Sequence, residues 1–335
     1  MTESDGGALK AMILGYRLSQ VLYVLARLGV ADALAAGPAP AADVAERTGC
    51  HADSLLRMLR AGRAMGITEE LADGSFALTR RGRLLCRDAD SSQWLRASLV
   101  GEPWHWDAWG SLLESVTTGV PAFEAAHGSN SFEFFDRTPG TGDTMMNRVT
   151  DEAKRRGKEI AEAYDFSSAT CLVDAGGGRG AVLAEVLGRH AHLGGILMDL
   201  PYAVSGAADL LAEFGVADRC EVVAGDFRRD LPAGGDVCLL SAVLHSWDDD
   251  ACVALLRRCL ERYGRVIVVD EVIEPAGAAL DTLLKDLQLM VFSGGRHRSL
   301  ADYRRLFARA GAELVRHAPV GELELLMVGH PAAAA

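Results

Sequence analysis

The residues of this chain that could do chemistry cluster in its second half. Asp174-Ala175-Gly176-Gly177-Gly178-Arg179-Gly180 stands between an apolar β-rich run and the helical stretch AVLAEVLGRH. Glycines such as Gly176, Gly178 and Gly180 let a backbone turn sharply and approach a ligand closely. The loop satisfies both DxGxGxG and a GxGxxA dinucleotide pattern, so alone it fits S-adenosylmethionine as well as NAD. Asp199, with Leu200 beside it, ends the next strand and can accept hydrogen bonds from ribose hydroxyls in either case. Asp226-Phe227 follows the third strand, where a carboxylate can take an adenine amino group while the ring packs the base. The leading Asp174 suits a cationic amino-acid tail without a pyrophosphate, which favours S-adenosylmethionine. His245 follows the apolar run DVCLLSAVL. That places it at a strand's carboxy end, where open α/β sheets bind ligands. With an unperturbed pKa near ~6.5, a histidine there has a neutral fraction able to act as a base.

These residues need a sheet to carry them. CLVD, GGILM, CEVVAG, DVCLLS and RVIVVD are short β-rich runs separated by helical stretches, which predicts a parallel, doubly wound sheet. ELVRHAP and ELELLMVG follow as an antiparallel hairpin edge, and the terminal PAAAA is expected to fray. Upstream the grammar is helical. AMILGYRLSQVLYVLARLGVADAL predicts a long helix, apolar on several sides, buried against another subunit or, alternatively, in an ordinary core. Residues 41–80 read as a winged helix-turn-helix: a helix ending at Gly49, Asp53 capping SLLRMLRAGRAMG, and a hairpin turning at Asp73-Gly74. The division expected is 1–100 as a helical, winged-helix dimerisation domain, 101–165 as a helical linker lining the substrate pocket, and 166–335 as a Rossmann-like domain. Trp104, Met145 and Met146 are the linker's candidates for substrate contact.

Composition sets limits on the partners. The chain has 335 residues, 49% hydrophobic and 24% charged, with a net charge of −12. Winged helices often read DNA, and Arg57, Arg60 and Arg63 lie on the helix that would do so. Yet 41–80 carries five basic against six acidic side chains, and phosphate binding needs a positive field. Nucleic acid is therefore not an expected partner. The seven cysteines form no CxxC, which suits reduced thiols. There is no apolar run of ~18 residues and no basic leader, so a cytoplasmic, non-membrane protein is expected.

Taken together, DAGGGRG, MDLP, GDF, LSAVLHSWDDDAC, GRVIVVDEVI and GGRHRSLADYRRLFARAG resemble the plant-type O-methyltransferase family (caffeate and hydroxyindole type), including its bacterial natural-product members. The resemblance spans nearly the whole chain. It implies an S-adenosylmethionine-binding Rossmann-like domain behind a helical dimerisation domain, an intertwined homodimer, and a small-molecule substrate. It also implies that His245 is a base that deprotonates a hydroxyl, flanked by two carboxylates. Asp270 matches the first, with Glu271 as the alternative register. The second belongs in a segment GGxER, but this chain reads Gly294-Gly295-Arg296-His297-Arg298. Two imidazoles, His245 and His297, near carboxylates suggest a metal site for an iron or zinc ion. Such an ion could chelate an α-keto acid and acidify its β-carbon for C-methylation, as in a small subgroup the chain resembles. The alternatives are O-methylation of a phenolic hydroxyl and a cofactor-binding member that transfers no methyl group. The family's substrate-lining helix falls at Thr282–Phe292 and carries Asp286 and Met290. Ser241 stands near the cofactor, where plant members often carry a larger or basic residue.

Overall fold

The computed structural model describes residues 4–274 and 276–330. The tail PAAAA lies outside the described residues. Two compact units divide the chain, Met1–Asp107 and Ala108–Ala335.

In the first unit the expected long apolar helix is three helices, Asp5–Ile13, Tyr16–Arg27 and Val30–Ala35. The breaks fall at Gly15 and at Gly29, whose φ of 66° is left-handed and ends a helix at little steric cost. The first two helices meet at a 43° bend, and among the described residues no single helix is long and apolar enough to cross a membrane. Asp5–Ile13 has no buried residue, and Leu9, Met12, Ile13, Tyr16 and Leu18 of this region are exposed. The winged segment forms, with helices Ala41–Thr48 and Ala52–Ala64 and an antiparallel hairpin of β1 (Thr68–Glu70) and β2 (Phe76–Leu78). His51, rather than Asp53, is the N-cap of the second helix, its ring accepting from the Ser54 N–H. Asp53 sits two positions past the cap and lies in the first turn. Arg60 and Arg63 on this helix pair with Glu70 at 3.7 and 3.2 Å. Trp104 is buried here, edge-on to His105.

The second unit is built on seven strands: β3 (Cys171–Ala175), β4 (Gly194–Asp199), β5 (Cys220–Ala224), β6 (Val237–Ser241), β7 (Val266–Asp270), β8 (Glu313–Val320) and β9 (Leu323–Gly329). Their order is β5-β4-β3-β6-β7-β9-β8, parallel except that β9 runs antiparallel to both neighbours. The central runs lack polar–apolar alternation because both faces are covered. Val173, Cys238, Leu240, Val266 and Val268 pack with helices Asp249–Tyr263 and Leu300–Arg309. Leu172, Leu239, Ile267 and Val269 point the other way, toward helices Pro139–Ala163 and Ala181–Arg189. The last two helices approach so closely that a β-carbon on Gly157 would stand 3.0 Å from the Val182 Cα. Ser299 and Asp302 close the capping box that starts Leu300–Arg309. The strand order reverses between β3 and β6, and the carboxy ends of these strands and of β4 and β7 carry the chemistry-bearing residues.

Candidate active site

The glycine loop leaves β3 with Gly176, Gly178 and Gly180 all at left-handed φ (80°, 59° and 82°). At Gly176 a β-carbon would stand 2.8 Å from Val243 and 3.2 Å from Phe227, so both conformation and space require glycine. Asp199, ending β4, holds the loop: one oxygen accepts from the Gly178 N–H at 2.8 Å and the other from the Leu200 N–H at 2.7 Å. Asp174 is fully buried beneath it. Burial, reinforced by the charge of Asp199, pushes the Asp174 carboxyl up to about 7. Burial likewise lifts Asp199 to about 6, against its two backbone hydrogen bonds. A cleft that stores two such carboxyls at the carboxy end of a parallel sheet is suited to a ligand with hydroxyls and a cationic group.

Asp226 is engaged within the chain. Its oxygens take the Arg228 N–H, Nε and Nη2 at 2.9–3.0 Å, and the Arg228 guanidinium lies 4.0 Å over the Trp247 ring. Phe227 is buried against the glycine loop. Ser241 is also buried, and its hydroxyl accepts from Arg156 Nη1 at 3.3 Å. Arg156 was not singled out from the sequence. It comes from helix Pro139–Ala163, is half-buried, and faces the charges of Asp270 and Asp174. Desolvation lowers its pKa, and those acids oppose the drop. A signal was present: Arg156 follows buried Ala153 by three and precedes buried Ile160 by four, a cation on a core-facing helical stripe.

His245 sits in a short turn, Leu244–Ser246, just past β6. Its Nδ1 is 2.8 Å from Asp270 Oδ1 at the end of β7, and the Asp270 side chain is entirely buried. That pairing engages Nδ1, one of the two ring nitrogens. Of the two registers the sequence left open, Asp270 therefore meets His245. Glu271 instead lies 3.8 Å from His297 Nε2. Ala242, two residues past the strand's last leucine, has φ 57°, a left-handed backbone that costs a non-glycine residue about 1 kcal/mol. Strain of this kind gathers where a turn must aim a functional side chain.

His297 is brought close to His245, ring centroids 6.0 Å apart and nearly perpendicular. Burial lowers its pKa, Glu271 opposes the shift and His245 adds to it. The net effect keeps His297 neutral. The expected iron or zinc centre does not assemble from these two rings. Among the described residues no group of three or more His, Cys, Asp or Glu is arranged to hold a metal ion. The nearby carboxylates are spoken for: Asp270 by His245, Asp286 by the His297 backbone N–H at 2.6 Å, and Glu271 by Lys285 at 3.8 Å. Asp286, expected at the substrate, thus anchors the 294–298 segment. Met146 is buried with its methyl against the Gly178 loop, whereas Met145 and Met290 are half-buried. Helical phase separates the two adjacent methionines, a detail that their shared residue type hides.

With this geometry in place, the likeness to known proteins is specific. The family model of the O-methyltransferase domain matches residues 109–313, and that of the O-methyltransferase dimerisation domain matches residues 11–88. Mitomycin biosynthesis 6-O-methyltransferase of Streptomyces lavendulae is 36% identical over 90% of this chain and 88% of its own length. The solved mitomycin 7-O-methyltransferase MmcR superposes with a TM-score of 0.92 at 34% identity, covering 97% of each chain. NcsB1, an O-methyltransferase from neocarzinostatin biosynthesis solved with S-adenosylmethionine and 2-hydroxy-5-methyl naphthoic acid, gives 0.84 at 32% identity, covering 94% of this chain and 96% of its own. Both units of the chain are matched, each by its own family model. The chain is a member of the O-methyltransferase family of S-adenosylmethionine-dependent enzymes.

Proposed function

We propose that this enzyme methylates a phenolic hydroxyl of an aromatic natural-product intermediate. The observation that carries the reading is the His245–Asp270 pair. A fully buried carboxylate 2.8 Å from Nδ1 sets the tautomer that leaves Nε2 unprotonated and able to accept the phenol's proton. The phenolate oxygen then attacks the donor's methyl carbon, and the sulfonium leaves as a neutral thioether. S-adenosylmethionine supplies an activated methyl group. Asp199 is placed for its ribose hydroxyls, Phe227 and Asp226 border its base, and Asp174 faces its cationic groups. Arg156, half-buried beside Ser241, is a cation suited to its carboxylate. Met145 and Met290 are candidates for the acceptor's apolar flank. The exposed apolar side chains Leu9, Met12, Ile13, Tyr16 and Leu18 are the surface for a homodimer. A sedimentation mass of one chain would overturn that assignment.

A second reading, C-methylation of an α-keto acid, is favoured by one observation: a neutral histidine, His297, stands where the family resemblance expects an acid. The two are separated by incubating the enzyme and S-adenosylmethionine with hydroxynaphthoates, phenols and α-keto acids, with and without a chelator. Release of S-adenosylhomocysteine with a methyl ether as product, unchanged by chelation, is the expected result. A C-methylated keto acid whose formation stops on chelation would overturn it. His297→Glu is expected to leave phenol turnover within about tenfold, because the base and its partner Asp270 are untouched.

The raised carboxyls give a pH prediction with a definite sign. Asp174 and Asp199 bind protons more tightly in the fold than unfolded. Their contribution to stability is therefore complete below pH ~4 and is lost as pH rises through 6 to 7. Cofactor binding runs the other way, since a ligand with hydroxyls and a cation prefers the ionised carboxyls. Binding at pH 6.5 is expected to release protons, by about one per site. Titration calorimetry in buffers of different ionisation enthalpy measures this directly, and proton uptake would contradict it.

A further inference from the structure

The segment Gly294–Arg298 carries His297, and it also packs against the backbone around His245. Gly295 packs flat on that turn: a β-carbon there would overlap the carbonyl oxygen of His245 and stand 2.8 Å from Ser246. The Arg296 N–H donates to the His245 carbonyl at 2.8 Å. Arg298 then reaches around the same turn. Its Nη1 donates to the Leu244 carbonyl at 2.8 Å and its Nη2 to the Trp247 carbonyl at 2.7 Å. Nε and Nη2 also take Asp249 Oδ1, at 3.0 and 2.9 Å. The other oxygen of Asp249 accepts from Arg296 at 2.7 Å.

Three carbonyls of the turn, at residues 244, 245 and 247, are thus held by one neighbouring segment. We infer that Arg298 is a positioning residue for the base, stapling the backbone on both sides of His245 so that its imidazole meets Asp270 and the acceptor at one fixed orientation. The assignment rests on the reading of His245 as the base for a hydroxyl.

Stability alone does not explain the choice of residue. The Arg298 side chain is 1% exposed, so its charge has been taken out of water, and that penalty commonly offsets the attraction to a partner carboxylate. What the guanidinium offers is a planar fork whose donors reach two divergent carbonyls and a carboxylate together. A lysine has a comparable stem and charge, but its single nitrogen cannot span acceptors on both sides of a residue. His297 shares the segment, so the scaffold persists although the side chain it presents toward the pocket has changed from the expected acid.

The test is Arg298→Lys, with Gly295→Ala as an independent disturbance of the same packing. Turnover is measured on two phenols: one weakly acidic and protonated at the assay pH, and one nitro-substituted and already ionised. A displaced base matters only where a proton must be removed. Arg298→Lys is therefore expected to lower kcat about 100-fold on the protonated phenol, and to change it by no more than about threefold on the ionised one. Cofactor affinity is expected to stay at the wild-type value. The His245 imidazole resonances, followed by NMR through a pH titration, are expected to shift in both variants. Equal losses on the two phenols would show a general structural role and overturn the inference. Unaltered His245 resonances would overturn it even if the wild-type enzyme methylated neither phenol, an outcome that would separately refute the proposed reaction.

Discussion

His245→Ala is expected to lower methyl transfer to a weakly acidic phenol by about 10²–10⁴-fold, with cofactor affinity unchanged. The size follows from what the side chain does. At neutral pH a phenol of pKa near ~10 is almost wholly protonated, and a neutral hydroxyl is a poor nucleophile toward a methyl carbon. A positioned imidazole removes the proton as attack proceeds, an effect equivalent to about 3–5 kcal/mol of transition-state stabilisation. The Asp270 carboxylate, entirely buried and 2.8 Å from Nδ1, makes that imidazole more than a generic base. It selects the tautomer and stabilises the imidazolium once the proton arrives. Asp270→Asn would leave an amide there and is expected to lose a comparable factor. An ionised phenol would be methylated by His245→Ala nearly as well as by wild type. Full activity of His245→Ala on the protonated phenol would mean that another group is the base.

Gly178→Val is expected to weaken S-adenosylmethionine binding at least about 100-fold. Two physical conflicts coincide at this position. Gly178 has φ 59°, a region that a β-branched residue hardly populates. Its added side chain would also begin 2.9 Å from the Met146 methyl, in the space that closes over the loop. The strain, about 1–3 kcal/mol, is relieved most easily by moving the loop, which breaks the Gly178 N–H bond to Asp199. Equilibrium dialysis with the cofactor reads the loss. Gly188→Ala is the matched control: it lies within the next helix, and a β-carbon there has nothing within 4 Å. It is expected to bind normally and to be slightly more stable, since alanine is the better helix former by about 1 kcal/mol. Wild-type affinity in Gly178→Val would show that the cofactor does not approach this loop.

The structure also narrows the consequence of finding histidine at 297. Two imidazoles in one pocket suggested a metal and keto-acid chemistry. Seen in place, His297 is neutral and close to Glu271, and the carboxylates that might have completed a coordination shell are engaged elsewhere in the chain. The mitomycin and neocarzinostatin relatives are named as O-methyltransferases. Hydroxyl methylation therefore accounts for the pocket with fewer requirements.

Local chemistry was legible in the residues alone. Apolar runs of five or six between helical stretches specify buried parallel strands because side chains on both faces must be apolar. Glycines at 176, 178 and 180 mark a loop that only glycine can follow, and Ser299 with Asp302 announces a helix start. The position of His245 after a strand follows from the same grammar. The broken apolar helix was partly legible too, since Gly15 and Gly29 stand at its joints. What remained hidden depends on partners brought from distant segments. Arg156 reaches Ser241 across 85 positions, and Arg298 reaches Leu244 across 54. Asp286 spends its carboxylate on a backbone amide, and Glu271 turns away from the histidine that Asp270 meets. Sequence by itself determined the family and the fold, and singled out His245 as a candidate base, because periodicity, turn chemistry and motif spacing are local properties of the chain. Only the tertiary structure decided which charge answers which. Such pairings depend on how the end of each strand and helix is aligned with its neighbours, and a single residue of offset exchanges one partner for another.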